Sequence, residues 1–140
     1  MRKQRMDFID KIFFYGSLKS DGPFYRMYSK NVLFKNKAYT YGKMAMYKET
    51  FPALLDDEDS IVYGELFTVF NVKDVLMVLD NVEKYLDRIS KTVWILPEGK
   101  NESENREPKS ITAWVYIYRG DMSHISHLDI QEWDNKQLKL

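Results

Sequence analysis

Glu83 is the residue whose type and spacing most invite a chemical reading. The segment from Val72 to about Leu86 has helical periodicity. At ~100° per residue, Val72, Val75, Leu76, Leu79, Val82 and Leu86 share one face, and Glu83 falls within it, near ~20° from Val72. Lys73, Asp74, Asn81 and Lys84 lie on the other side, with Asp80 at the boundary. A carboxylate turned toward apolar surroundings has lost hydration, which disfavours its charged form. Three readings are open. The helix ends by Val82 and Glu83 sits in solvent; or Glu83 forms a buried ion pair with Arg88 or Lys19; or it is a functional acid–base group with a raised pKa.

The second candidate is the turn Gly16-Ser17-Leu18-Lys19, reached from the apolar run Lys11 to Tyr15. A strand running into a glycine turn can aim successive backbone N–H groups at one point and cradle an anion. The same residues also make an ordinary turn. Ser17 has no evident base to make it a nucleophile. His124 and His127 stand three apart and would need Asp121 or Asp129 to complete a metal site. Tyr39, Tyr41, Tyr47, Tyr63, Trp114, Tyr116 and Tyr118 lie on or beside expected strands, where they read as core and cross-strand pairs rather than a base-stacking platform.

Composition narrows the chemistry. The 140 residues contain no cysteine and two histidines. Thiol catalysis, thiolate metal sites and disulfides are excluded, and a histidine-based triad requires the tail to fold back into a site, so in an enzyme the acid–base work is expected of a carboxylate. With 21 basic and 21 acidic residues the formal net charge is zero, which argues against a general nucleic-acid binder. The basic start Met1-Arg2-Lys3 is not followed by the apolar run of a signal peptide, and no stretch reaches the ~20 apolar residues of a membrane span. The expectation is one cytoplasmic domain over residues 1–140, without a metal or an organic cofactor.

These residues need elements to hold them. Strands are expected at Lys11–Tyr15, within Val32–Thr40, at Lys43–Tyr47, Ile61–Phe70, Lys91–Leu96 and Ile111–Tyr118. Pro52 makes Phe51–Leu55 a loop or sheet edge. Gly64 marks a bulge or a close backbone approach. A short helix over Phe24–Ser29 would be capped by Ser20 or Asp21, and Asn71 would cap the helix carrying Glu83. The polar stretch Pro97–Ser110 reads as an exposed hairpin loop, and the tail from Asp121 holds a short helix ending near Trp133. The class is α+β, with a sheet that curls into a small barrel.

Several segments, taken in order, resemble the γ-glutamylcyclotransferase-like family. Phe14-Tyr15-Gly16-Ser17-Leu18-Lys19 resembles its YGS/T-L-K signature, and Phe51-Pro52-Ala53-Leu54 its Tyr/Phe-Pro-Ala segment. Val62-Tyr63-Gly64-Glu65-Leu66-Phe67 resembles its V-x-G-E-L/V-Y strand, Leu79-Asp80-Asn81-Val82-Glu83-Lys84-Tyr85 its L-D-x-x-E motif, and Ala113 to Tyr118 its last strand. The likeness covers about residues 11–119 and leaves 120–140 as an extension. It implies a small mixed β-barrel flanked by a few helices, Glu83 as the acid–base residue, and Tyr15, Gly16, Ser17 and Leu18 as the substrate-binding turn. It further implies a small γ-glutamyl substrate cyclised to 5-oxoproline without a cofactor. The alternative on the same fold is a non-catalytic binder of a small acid. Lys84, where many members have Gly, and a short Leu86–Ile89 segment depart from the pattern.

Overall fold

Alternation along the strands decides which side of the sheet each residue takes. In β1 (Lys11–Phe14), Phe13 joins one core and Ile12 and Phe14 the other. The same split runs through β5 (Ile61–Val69), where Val62 and Leu66 face Phe13 and where Phe67 and Val69 face outward under a helix. The computed structural model describes residues 8–98 and 107–138. The expected basic start before Phe8, and the middle of the polar stretch after Glu98, lie outside those residues.

Five strands close a barrel in the order β1-β5-β2-β6-β7, with β2 at Val32–Tyr41, β6 at Asp87–Ile95 and β7 at Lys109–Ile117. β1 runs parallel to β7 and every other pairing in the barrel is antiparallel, so the sheet is mixed. Val93, Ala113, Val115 and Ile117 fill the barrel with Phe13, and all five are fully buried. A smaller sheet packs beside it in the order β4-β3-β8, from β3 (Lys43–Tyr47), β4 (Phe51–Leu55) and β8 (Ile125–His127). Pro52 lies on β4, an edge strand, where its missing N–H costs no ladder bond. Gly64 is in register with Ala38. A Cβ there would collide with the Phe14 carbonyl and come within 2.8 Å of the Phe13 ring, so it marks a close approach and not a bulge.

Helix α1 (Val72–Val82) is too short to be stable alone and is held by Val72, Val75, Leu76 and Leu79 packed on the barrel. It ends four residues before the expected Leu86. Asn71 does occupy the N-cap position, but in the left-handed region, and its carbonyl rather than its side chain serves the first turn. The helix expected over Phe24–Ser29 is instead two 3-10 turns, Tyr25–Met27 and Ser29–Asn31. Its expected caps have other partners: Ser20 donates to Glu65, and Asp21 accepts from Asn135. Tyr28 packs on Phe14 and Phe67, which sets the turn geometry by tertiary contact. The tail holds no helix ending at Trp133. It forms a 3-10 turn at Met122–His124, then β8, and a 3-10 turn at Asn135–Leu138. His124 and His127 therefore do not share a helix face. β6 and β7 begin earlier than expected because their antiparallel pairing runs through Asp87↔Ile117 to Ile95↔Lys109.

Candidate active site

Glu83 is the residue just past α1, yet its N–H still donates to the Leu79 carbonyl at 2.8 Å. The backbone keeps one more helical bond, so the side chain follows the apolar face into the protein. Glu83 is 9% exposed. Among the described residues it has no basic partner. Arg88 is taken by Asp80 in a bidentate pair at 2.9 and 3.0 Å, and Lys19 Nζ donates to the Trp133 carbonyl at 2.6 Å. The solvent reading and the ion-pair reading both fail, although the helix does end at Val82.

Burial pushes the Glu83 carboxyl up to about 7, against the lowering effect of a hydrogen bond with the Tyr85 hydroxyl. That hydroxyl has one proton and two neighbours, since it also donates to the Pro52 carbonyl at 3.0 Å. With its proton on Pro52, its oxygen can accept from a protonated Glu83. With the proton turned to Glu83, it supports the carboxylate.

Glu83 faces the turn singled out in the sequence. Tyr15, Gly16, Ser17 and Leu18 line one cleft with Glu83, Phe14, Pro52 and Tyr116. The cleft has a volume of about 10 Å³, close to one water. Larger hollows exist elsewhere, such as the one of about 490 Å³ beside Asp56, Arg119 and His127, but neither Glu83 nor the turn lines it. Gly16 permits the closure, because a Cβ there would sit 2.6 Å from Pro52 Cγ. Tyr15 is buried and donates to the Tyr116 carbonyl at 2.8 Å; burial raises its pKa well above the usual tyrosine value, so it stays a neutral wall.

The turn is held by its carbonyls. Gly16 O accepts from the Lys19 N–H at 3.0 Å, Ser17 O from the Phe24 N–H at 3.3 Å, and Leu18 O from the Tyr28 hydroxyl. Among the described residues no turn or loop carbonyl takes up the N–H groups of Gly16, Ser17 or Leu18. A loop fixed on its carbonyl side, with its amides not taken up by such carbonyls, has the form that can cradle an anion. Further along, Glu65 accepts from both the Ser20 N–H (2.7 Å) and its hydroxyl (2.9 Å), fixing the loop's exit.

Asp80, in the same motif as Glu83, was placed by the sequence only at the boundary between the two faces of the helix. It locks the end of α1 to the barrel. Besides Arg88 it accepts from the Tyr116 hydroxyl at 2.7 Å, and the hydrogen bond from Arg88 chiefly holds its pKa below the usual carboxylate value. Arg88 lies 4.4 Å over the Trp114 ring. Nothing in the sequence marked Asn135 as a neighbour of the site, and Tyr85 entered only as the end of the motif segment, without a role. Among the described residues no three His, Asp or Glu side chains converge as a metal site, and no helix is long and apolar enough to cross a membrane.

The family model described as gamma-glutamyl cyclotransferase, AIG2-like matches residues 12–135. A Methanocaldococcus jannaschii protein, provisionally named a gamma-glutamylcyclotransferase, is 32% identical over 113 residues, which are 79% of this chain and 85% of that one. The crystal structure of a Mus musculus AIG2-like protein superposes with a TM-score of 0.65 at 19% identity, covering 90% of this chain and 88% of the mouse chain. Bacillus subtilis YkqA gives the same TM-score at 14% identity over 94% of this chain, which spans only 42% of YkqA.

Proposed function

The chain belongs to the gamma-glutamyl cyclotransferase, AIG2-like family, and from that premise we propose that it converts a γ-glutamyl amine or amino acid to 5-oxoproline and a free amine. The observation that carries this reading is a buried carboxyl, pushed up to about 7 and without a basic partner among the described residues, beside a loop whose amides no turn or loop carbonyl of those residues takes up. The substrate supplies its own nucleophile. Its α-amino nitrogen attacks the γ-carbonyl carbon and closes a five-membered ring. The carbonyl oxygen takes on negative charge, which on this reading the N–H groups of Ser17 and Leu18, residues that line the cleft, stabilise. Glu83 accepts a proton from the attacking nitrogen and returns it to the leaving nitrogen as the old C–N bond breaks. A carboxyl poised near the working pH suits both transfers. The ring closure is intramolecular, so holding the folded conformer supplies much of the acceleration.

The rival reading, a non-catalytic binder of a small acid, draws on the small volume of the cleft. A γ-glutamyl group enters only if rim side chains turn outward. One experiment separates the two. The protein is incubated with a panel of γ-glutamyl amino acids and amines, and 5-oxoproline is measured. Turnover that falls at least ~100-fold in Glu83→Gln supports the proposal. Turnover that survives Glu83→Gln refutes the assigned base, and 5-oxoproline binding without turnover on any substrate favours the binder.

A further inference from the structure

The tail segment Trp133-Asp134-Asn135 crosses behind the Gly16 to Gly22 loop, more than a hundred residues away in sequence. Asn135 is 9% exposed and its amide is fully engaged. Nδ2 donates to the Gly16 carbonyl at 3.1 Å and to Asp21 Oδ1 at 2.7 Å, while Oδ1 accepts from Trp133 Nε1 at 3.1 Å. Two acceptors face one side of the amide and a donor faces the other. The flipped amide would set Oδ1 against a carbonyl and a carboxylate, so the orientation is dictated by its neighbours. Trp133, 5% exposed, is itself anchored in the barrel core, and its carbonyl accepts from Lys19. Gly22 completes the fit: a Cβ there would strike the Ser17 carbonyl and come within 3.0 Å of Asn135 Nδ2.

The Gly16 carbonyl and the Ser17 N–H belong to one peptide plane. In a trans peptide they point in opposite directions, and the described residues contain no cis bond. Gly16 O is held by Asn135 Nδ2 and by the Lys19 N–H at 3.0 Å, and the two together aim the Ser17 N–H the other way. We propose that Asn135 is a positioning residue: by gripping Gly16 O and Asp21 together from behind, it sets the direction of the Ser17 N–H in the cleft. This rests on the cyclotransferase reading for the substrate the amide meets, but the aiming itself does not.

The test compares wild type with Asn135→Asp, which loses both donors, and with Asp21→Ala, an exposed change that frees one side of the Asn135 amide. Amide hydrogen exchange and nitrogen–proton NMR shifts are read at Ser17 and Leu18, with Val93 and Val115 in the barrel as controls. Turnover and its pH profile are read on the γ-glutamyl panel. Exchange at Ser17 and Leu18 is expected to accelerate selectively, more in Asn135→Asp than in Asp21→Ala. kcat is expected to fall about 10- to 100-fold in Asn135→Asp, with the acid limb set by Glu83 unmoved. A merely structural role would speed the barrel amides too. Unchanged exchange at Ser17 in both variants overturns the proposal, and so does selective acceleration with kcat intact. If Asn135→Asp does not fold, Asp21→Ala decides by the same readouts. A wild type inert on every substrate refutes the cyclotransferase reading, and Ser17 exchange then judges the aiming role on its own.

Discussion

Glu83 titrates near 7 when folded, against an ordinary value of 4.5. Between those values the folded protein keeps a proton that the unfolded chain releases. Stability therefore declines as pH rises from 4.5 to 7, by on the order of 3 kcal/mol, and stays lower above that. Glu83→Gln removes the charge, so it is expected to be more stable than wild type at pH 8 and equal to it near pH 4. Urea unfolding at the two pH values checks this; a variant less stable at pH 8 would deny the burial cost. Activity should run the opposite way, with kcat/KM rising to a plateau about a midpoint near 7, measured on any substrate the panel identifies. Glu83 was legible in the sequence because a charge on an apolar helical stripe is a local pattern. Its lack of a basic partner among the described residues was not, because Arg88 and Lys19 choose Asp80 and Trp133 by tertiary position.

At the scale of elements, the site is a junction of one helix end, one edge strand and one loop. Gly16 sits where the loop meets β4. Gly16→Ala would drive a methyl group into the Pro52 ring, 2.6 Å away, and part the two. The expected result is a turnover loss of at least ~10-fold, with a stability loss of about 1–3 kcal/mol. Turnover and urea melts of the same sample decide it, and a fully active variant would show that loop and strand need not touch. Most strands were readable because apolar, β-branched and aromatic residues gather over four to ten positions, while Pro52 left β4 between a loop and a sheet edge. The end of α1 was misread because Glu83 to Leu86 continue the apolar spacing after the backbone has left the helix. The tail was misread for another reason. Three-residue elements such as β8 have no period to detect, and their partners Ala45 to Tyr47 lie about eighty residues away.

For the molecule as a whole, Trp133 ties the tail to the barrel core. It is 5% exposed and shares a cluster with Phe13, Tyr15 and Ile117. Trp133→Ala is expected to cost about 3–5 kcal/mol, read from the shift of the urea midpoint. A cost under about 1 kcal/mol would show that the tail merely rests on the barrel. No local signal in the sequence announced this tether, since its contacts span separations of 114 and 119 residues.

Those separations bear on when the site comes into being. Tyr15 is bonded to Tyr116, and Gly16 to Asn135, across 101 and 119 residues. Such contacts close large loops and form late, after the entropy of bringing distant parts together has been met. Synthesis imposes the same order. A growing chain has the proposed cradle residues by Leu18 and the proposed acid by Glu83, but the tie from Asn135 arrives later. The two halves of the proposed chemistry thus coexist while residues 84–135 emerge, without facing each other in working order.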